Sequence, residues 1–328
     1  MLFNEYKKHI SNLVLFLFYK RDETIYVLKT KNKSFKYNKS LDKSRLFLFY
    51  KNMKIAIQGI KGSFHHIAAN QYFDQDITLK ECLTFDEMPK LLQKKEVDYL
   101  IMAIENSIAG AILANYKLID EYDLNIEGEI YLPIQHQLIA LKNQTINDIT
   151  EIWSHPMAIN QCRTFLRKYP HIKLIEETDT AEVARLIQVK KLKGIAGIAS
   201  KKAADIYKLN IVAKNIQTNP ENYTRFFILN KKQKDKESNY NKVSLKFITK
   251  HKQGSLVEVL QILVNHQLNL SKIQSLPIVD NPWQYSFFVD VNFDNEKQFN
   301  NVLNEMKKIV TEVKILGKYK KSEKQNKN

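Results

Sequence analysis

Asn219-Pro220-Glu221-Asn222-Tyr223-Thr224-Arg225-Phe226-Phe227-Ile228-Leu229 is the stretch on which the reading turns. Asn-Pro is a turn signal, and an apolar run rich in aromatic and β-branched residues follows it, so a strand is expected from about Thr224. Side chains alternate faces along a strand, which puts Thr224 and Phe226 on one face and Arg225 on the other. Facing a cleft, the first two would offer a proton donor and an apolar wall. The same pattern also serves any half-buried strand whose Thr and Arg only satisfy neighbours.

The 328 residues suffice for two domains and a sizeable core. Apolar residues make up 44% and charged residues 26%, the balance of a soluble protein. Cys82 and Cys162 show neither metal spacing nor a disulfide framework, which fits a reducing, cytoplasmic setting. The formal charge of +16 suggests nucleic acid until it is mapped. Residues 1–52 carry +8, residues 314–328 carry +5, and the long middle only +3. The excess sits in the ends rather than on one face, so nucleic-acid binding is not expected.

Residues 1–52 contain no Gly, Ala or Pro and repeat Leu-Phe-Leu-Phe-Tyr-Lys at 15–20 and 46–51. The apolar run Leu13–Tyr19 is too short to span a bilayer, and Lys20-Arg21-Asp22 is no cleavage site. Met53 opens a strand at once. The expectation is that 1–52 is a poorly ordered extension or translated sequence upstream of a start at Met53.

From Met53 to Leu229 strands and helices alternate, implying a parallel or mixed sheet. Lys54–Gln58 reads as a buried strand, and Gly59-Ile60-Lys61-Gly62-Ser63 turns it into a helix, a geometry that presents free N–H groups to an anion. Tyr99–Ile104 is a central strand that delivers Glu105-Asn106-Ser107 at its C-terminal end, where open α/β sheets bind ligands. Ser154, Thr180 and Ser200 each stand where a strand becomes a helix. Each alone reads as a cap; together they favour a site for a small carboxylate. A crossing segment near 110–135 divides the region into two lobes with a cleft. Residues 230–242 read as a charged linker. Beyond it come strand 243–249, helix 254–266, strands 269–278 and 283–293, helix 295–309 and strand 311–317, the β-α-β-β-α-β order of a ferredoxin-like module. Residues 318–328 form a basic tail.

Several of these segments carry a resemblance. Thr224-Arg225-Phe226 with Asn222 and Asn215-Ile216-Gln217, the block Ile104–Gly110, Gly128-Glu129, Leu132-Pro133-Ile134-Gln135-His136, and Ser154-His155-Pro156 with Gln161-Cys162 together resemble the prephenate dehydratases, over about 53–317. The opening loop is similar too, with Ser63 for the usual Thr and His65 for the usual Ser; Met157 departs from the usual Gln. Gly254-Ser255-Leu256-Val257 and Gln274-Ser275-Leu276-Pro277 look like the two motifs of a phenylalanine-sensing ACT domain, the second with Gln274 and Leu276 where Glu and Arg are usual.

The resemblance implies an α/β fold: a two-lobed catalytic domain of periplasmic-binding-protein type II architecture at 53–229, a linker at 230–242 and an ACT domain at 243–317. It implies decarboxylative dehydration of prephenate to phenylpyruvate in phenylalanine biosynthesis, in monofunctional form, since 1–52 is too short and strand-like for a helical chorismate mutase. Thr224 would be the general acid. Asn106, Gln161, Ser154, Thr180, Ser200 and Ser63 would bind the substrate carboxylates, Phe226 would border the ring, and Arg225 would bind substrate only if the strand bends. His155 could serve as a base, but its place before Pro156 favours a role in shaping the turn. Gly254, Ser255, Leu256, Val257, Gln274 and Ser275 would form the regulatory site. No metal or organic cofactor is implied, because nothing is oxidised. Phenylalanine is the implied effector, with a homodimer or homotetramer and no membrane partner. Three rivals stand beside this reading: an arogenate dehydratase, a solute-binding protein and a non-catalytic amino-acid sensor.

Overall fold

The computed structural model describes residues 14–20, 23–30 and 33–37 by backbone, and 53–73, 77–231, 240–278, 281 and 284–322 in full. The chain divides into two units, Met1–Asn52 and Met53–Asn328. In the first, β1 (Val14–Lys20), β2 (Glu23–Thr30) and β3 (Lys33–Tyr37) form an antiparallel meander in the order β1-β2-β3.

The second unit opens as an α/β lobe. In chain order it runs β4 (Met53–Gln58), α1 (Phe64–Tyr72), β5 (Ile77–Cys82), α2 (Glu87–Gln93), β6 (Tyr99–Asn106), the short β7 (Gly110–Ala111), α3 (Leu113–Glu121) and β8 (Leu124–Pro133). A second lobe follows: β9 (Gln137–Ala140), β10 (Glu151–Ser154), α4 (Pro156–Gln161), α5 (Arg163–Leu166), β11 (Lys173–Glu176), α6 (Thr180–Lys190), β12 (Ile195–Ala199), α7 (Lys201–Ile206) and β13 (Asn210–Ala213). The chain then returns to the first lobe through β14 (Tyr223–Lys231). Both lobes have mixed sheets, in the orders β5-β4-β6-β14-β8 and β11-β10-β12-β9-β13.

β14 sits between β6 and β8 and is antiparallel to both. Its expected alternation holds. Phe226 and Ile228 pack with Ala68 and Ala69 of α1, while Phe227 and Leu229 pack with Leu118 and Ile119 of α3 on the other face. Its N-terminal end therefore places Thr224 on the α1 side and Arg225 opposite.

The C-terminal module comprises β15 (Lys242–Thr249), α8 (Ser255–Asn265), β16 (Asn269–Pro277), β17 (Tyr285–Asn292), α9 (Glu296–Ile309) and β18 (Val310–Tyr319). Its antiparallel sheet has the order β16-β17-β15-β18, the ferredoxin-like arrangement. β18 runs on through Tyr319, past the expected end at 317, because Lys318 and Tyr319 still pair with Val243 and Lys242. Likewise Asn230 and Lys231 belong to β14, and Lys242 to β15; residues 232–239 of the expected linker lie outside the described residues.

The module docks on the first lobe. Phe288, Leu316 and Tyr319 share one hydrophobic cluster with Leu100, Met102 and Phe227. The approach is close enough that a Cβ at Gly317 would collide with the backbone of Ile126. Among the described residues no helix is long and apolar enough to cross a membrane.

Candidate active site

The site is built where β6 and β14 end side by side. Asn106 and Thr224 are cross-strand partners, and the Asn106 Nδ2 donates to Thr224 Oγ1 at 3.0 Å. The orientation of the Asn106 carboxamide follows from its other bonds. The backbone N–H groups of Ile108 and Ala109 donate to Oδ1 at 3.0 and 2.9 Å, so that atom is the oxygen. Nδ2 then also donates to Asn222 Oδ1 at 2.7 Å. Because Thr224 Oγ1 accepts from Asn106, its own proton is directed elsewhere.

The second lobe contributes Gln161 at the end of α4. Its Oε1 accepts from Asn222 Nδ2 at 2.9 Å and lies 2.9 Å from His136 Nε2. A carboxamide oxygen only accepts, so His136 carries its proton on Nε2 and presents a lone pair at Nδ1. Burial holds the His136 pKa below its ordinary value, against the bond to Gln161, which raises it. Gln161 Nε2 makes only a long 3.5 Å approach to Asn106 Oδ1, leaving N–H capacity for a ligand. Thr224, Asn106 and Gln161 are each 9% exposed, so the group lies at the edge of the packed interior.

Other sequence-selected residues lie apart from this cluster or do something different. Ser63 caps α1 by accepting from the His66 N–H. Ser200 caps α7 and donates to the Gly62 carbonyl at 2.6 Å, tying the lobes together. Gly62 sits at φ +99°, and a Cβ there would stand 2.9 Å from Ala203 Cα. Ser154 is not a cap: its fully buried hydroxyl donates to the Ile198 carbonyl at 2.7 Å, and His155 Nδ1 caps α4 instead. Thr180 is not a cap either, since the Asp179 carboxylate accepts the Glu182 N–H and closes α6. An acidic side chain thus stands where a substrate carboxylate was expected. Burial pushes the Asp179 carboxyl up, against the backbone N–H bonds that lower it.

Phe226 is 1% exposed and packs its ring against His65, with centroids 5.0 Å apart, so it supports the site from within the core. His65 accepts the Ala103 N–H at 3.3 Å, and burial drives its pKa down to about 3.

Arg225 turns away from Thr224, as strand alternation requires. Its guanidinium donates to Glu129 from Nε at 2.8 Å, to Asp290 from Nη1 at 2.5 Å and to the Tyr319 hydroxyl from Nη2 at 3.2 Å. It lies against the Phe227 ring, 4.6 Å from the centroid. Although the β14–β6 register shifts between Arg225 and Phe226, Arg225 is not brought to the cleft; Glu129 of β8 and Asp290 and Tyr319 of the C-terminal module engage it. Of the expected regulatory residues, Gly254 precedes α8 at φ +82°, and Ser255, Leu256 and Val257 form its first turn. Ser255 lines a cavity of about 350 Å³ with Thr249, Lys250, Lys252, Tyr285 and Phe287. Gln274 and Ser275 lie on the edge strand β16.

Asn222 and His136 complete the cluster without having been singled out as site residues. Both stood inside the quoted motifs, so the signal was present, but their partner Gln161 is brought to them by the fold.

Fold and site together define a two-lobed α/β enzyme with a hydroxyl and three carboxamides at its centre and a ferredoxin-like module behind it. The prephenate dehydratase family profile matches residues 55–234. The bifunctional chorismate mutase/prephenate dehydratase of Buchnera aphidicola subsp. Schizaphis graminum is 34% identical over 266 residues, covering 80% of this chain and 69% of the relative. The chain belongs to the prephenate dehydratase family.

Among solved structures, a protein described as GqqA, a novel type of quorum quenching acylase, superposes with a TM-score of 0.75 at 26% identity, covering 82% of this chain and 98% of the other. The prephenate dehydratase of Arthrobacter aurescens in complex with L-Phe superposes with a TM-score of 0.74 at 24% identity, covering 82% and 90%, and bears on the fold alone.

Proposed function

We propose that this chain converts prephenate to phenylpyruvate in phenylalanine biosynthesis with Thr224 as the proton donor. The observation that carries the assignment is the 3.0 Å bond in which Asn106, its orientation fixed by two backbone N–H groups, donates to Thr224 Oγ1.

The reaction breaks two bonds. The C–C bond to the ring carboxylate releases CO2, and its electron pair enters the ring. The C4–O bond breaks with its pair, and that oxygen takes a proton and leaves as water. The ring becomes aromatic. The carboxylate leaves unaided, whereas hydroxide needs a proton as it departs. With its lone pair engaged by Asn106, the Thr224 hydroxyl points its hydrogen at the departing oxygen and is reprotonated from solvent afterwards. Gln161 offers N–H groups to a substrate carboxylate, and His136 and Asn222 hold its oxygen so that those N–H groups face the cleft. Ser63 and Ser200 shape that cleft through the Gly62 turn, while Ser154 and Phe226 act as internal supports.

The two lobes correspond to a periplasmic-binding-protein type II arrangement at 53–229, and the module at 243–317 to an ACT domain that senses phenylalanine. The βαββαβ order and the left-handed Gly254 at the start of α8 support that reading. Pairing into a homodimer or homotetramer and a cytoplasmic location belong to the same reading.

The test is turnover of prephenate by the full chain, followed as phenylpyruvate absorbance in alkali, for wild type, Thr224→Ser and Thr224→Ala. Ser should retain activity and Ala should lose about 10²- to 10⁴-fold in kcat, the usual contribution of a positioned acid. Undiminished turnover in Ala would remove Thr224 from the chemistry.

A further inference from the structure

The strands that carry the site have a second face, and the C-terminal module holds it. Thr224 opposes Asn106, and the next pair in register, Arg225 and Glu105, points the other way. Both members of that second pair are gripped from the module. Lys272 Nζ of β16 reaches Glu105 Oε1 at 2.6 Å, and Asp290 Oδ2 of β17 receives Arg225 Nη1 at 2.5 Å. Arg225 and Glu105 also approach each other at 4.0 Å.

The two gripping residues are neighbours as well, because Lys272 and Asp290 are cross-strand partners in the module sheet. A pair of adjacent charges on one sheet thus meets a pair of adjacent opposite charges on the other. The surroundings fix this arrangement. Glu129 accepts from both Arg225 and Lys242, and Ser244 donates to Asp290. Arg225 and Glu129 are almost wholly buried, where neither charge is stable without its partners.

We propose that Lys272 and Asp290 are positioning residues for the dehydration, acting through Glu105 and Arg225 to set the relative placement of Asn106 and Thr224 at the ends of β6 and β14. The proposal rests on the reading of Thr224 as the proton donor. A shift of β16 against β17 pulls Glu105 and Arg225 unequally. Each is covalently adjacent to one member of the 3.0 Å hydrogen bond on the site face, so the shift alters that bond. The route is one residue long on each strand and needs no propagation through the core. β16 is also the strand that carries Gln274 and Ser275.

The decisive experiment is steady-state kinetics of the full chain for Lys272→Met, Lys272→Arg, Glu105→Gln and the double variant Lys272→Met/Glu105→Gln, with Thr224→Ala alongside. Lys272 lies at the margin of the docking surface, 12% exposed, so methionine keeps its packing. Lys272→Met should lower kcat by about tenfold, within the range of energetic coupling between sites, with KM within about twofold of wild type. Lys272→Arg should restore kcat. Glu105→Gln should show a similar loss, and the double variant should be no worse than either single one, because both break the same tie.

A Lys272→Met chain with wild-type kcat, or single losses that multiply in the double variant, would overturn the proposal. Should Lys272→Met melt early, the isosteric Glu105→Gln decides by the same criterion. The failure of the underlying reading looks different: Thr224→Ala would then turn over like wild type. A silent Lys272→Met beside an inactive Thr224→Ala would refute the positioning role alone.

Discussion

His65 is neutral inside the fold, and that makes stability fall as the pH is lowered, in a calculable way. The ring is 8% exposed, accepts the Ala103 N–H and packs against Phe226, and burial takes its pKa from 6.5 to about 3. The unfolded chain keeps the ordinary value. The folded pKa is the lower one, so the unfolded state binds more protons between pH 6.5 and 3. The contribution is therefore complete above 6.5 and is lost progressively as pH falls toward 3. Each pH unit within that window is worth about 1.36 kcal/mol, so lowering the pH from ~7.5 to ~5 removes about 2 kcal/mol through this residue.

The perturbation is His65→Leu, which removes the titrating group and keeps an apolar side chain. Urea unfolding followed by far-ultraviolet circular dichroism at both pH values gives four free energies. His66 and His136, also depressed by burial, titrate in both proteins and cancel in the double difference. Wild type should lose about 2 kcal/mol more than His65→Leu on acidification. Equal losses would mean that the ring takes up its proton inside the fold, and the account of a sealed support beneath Phe226 would be wrong.

Three further outcomes follow from the geometry. Gln161→Glu keeps the acceptor for Asn222 and His136 but adds a negative charge beside a dicarboxylate substrate, so KM should rise roughly tenfold or more while the melting temperature holds. Glu129→Gln leaves Arg225 and Lys242 with too little negative charge around them, and urea denaturation should show a loss of about 3 kcal/mol. Gly62→Ala combines a left-handed backbone with a collision at Ala203; about 1–3 kcal/mol of stability should disappear, with a higher KM as the link to Ser200 weakens.

Much of the site was legible because it rests on local rules. The alternation of Thr224, Phe226 and Ile228 against Arg225, Phe227 and Leu229 predicted which face each would take, and the two hydrophobic clusters on either side of β14 follow it. The polar triplet Glu105-Asn106-Ser107 after an apolar run marked the end of a central strand, and Asn106 is the hub of the cluster. The caps were read less well. The segment Asp179-Thr180-Ala181 does cap its helix, through Asp179 rather than Thr180, and at α4 the cap is His155 rather than Ser154, because a one-residue offset changes which side chain faces the free N–H groups. Phe226 was expected to border a ligand and instead fills the core against His65.

The sequence by itself determined the alternation of elements, the ferredoxin-like order of the last module and the family motifs, since periodicity and turn chemistry act over a few residues. Tertiary structure alone decided the company each motif keeps. Asn106 meets Asn222 and Thr224 across more than a hundred residues of chain, and Gln161 arrives from the other lobe. Strand alternation pointed Arg225 away from Thr224, but only the packed structure showed that Glu129, Asp290 and Tyr319 hold it there. A strand sends adjacent side chains to opposite faces, and what waits on the far face is settled only when a distant sheet packs there.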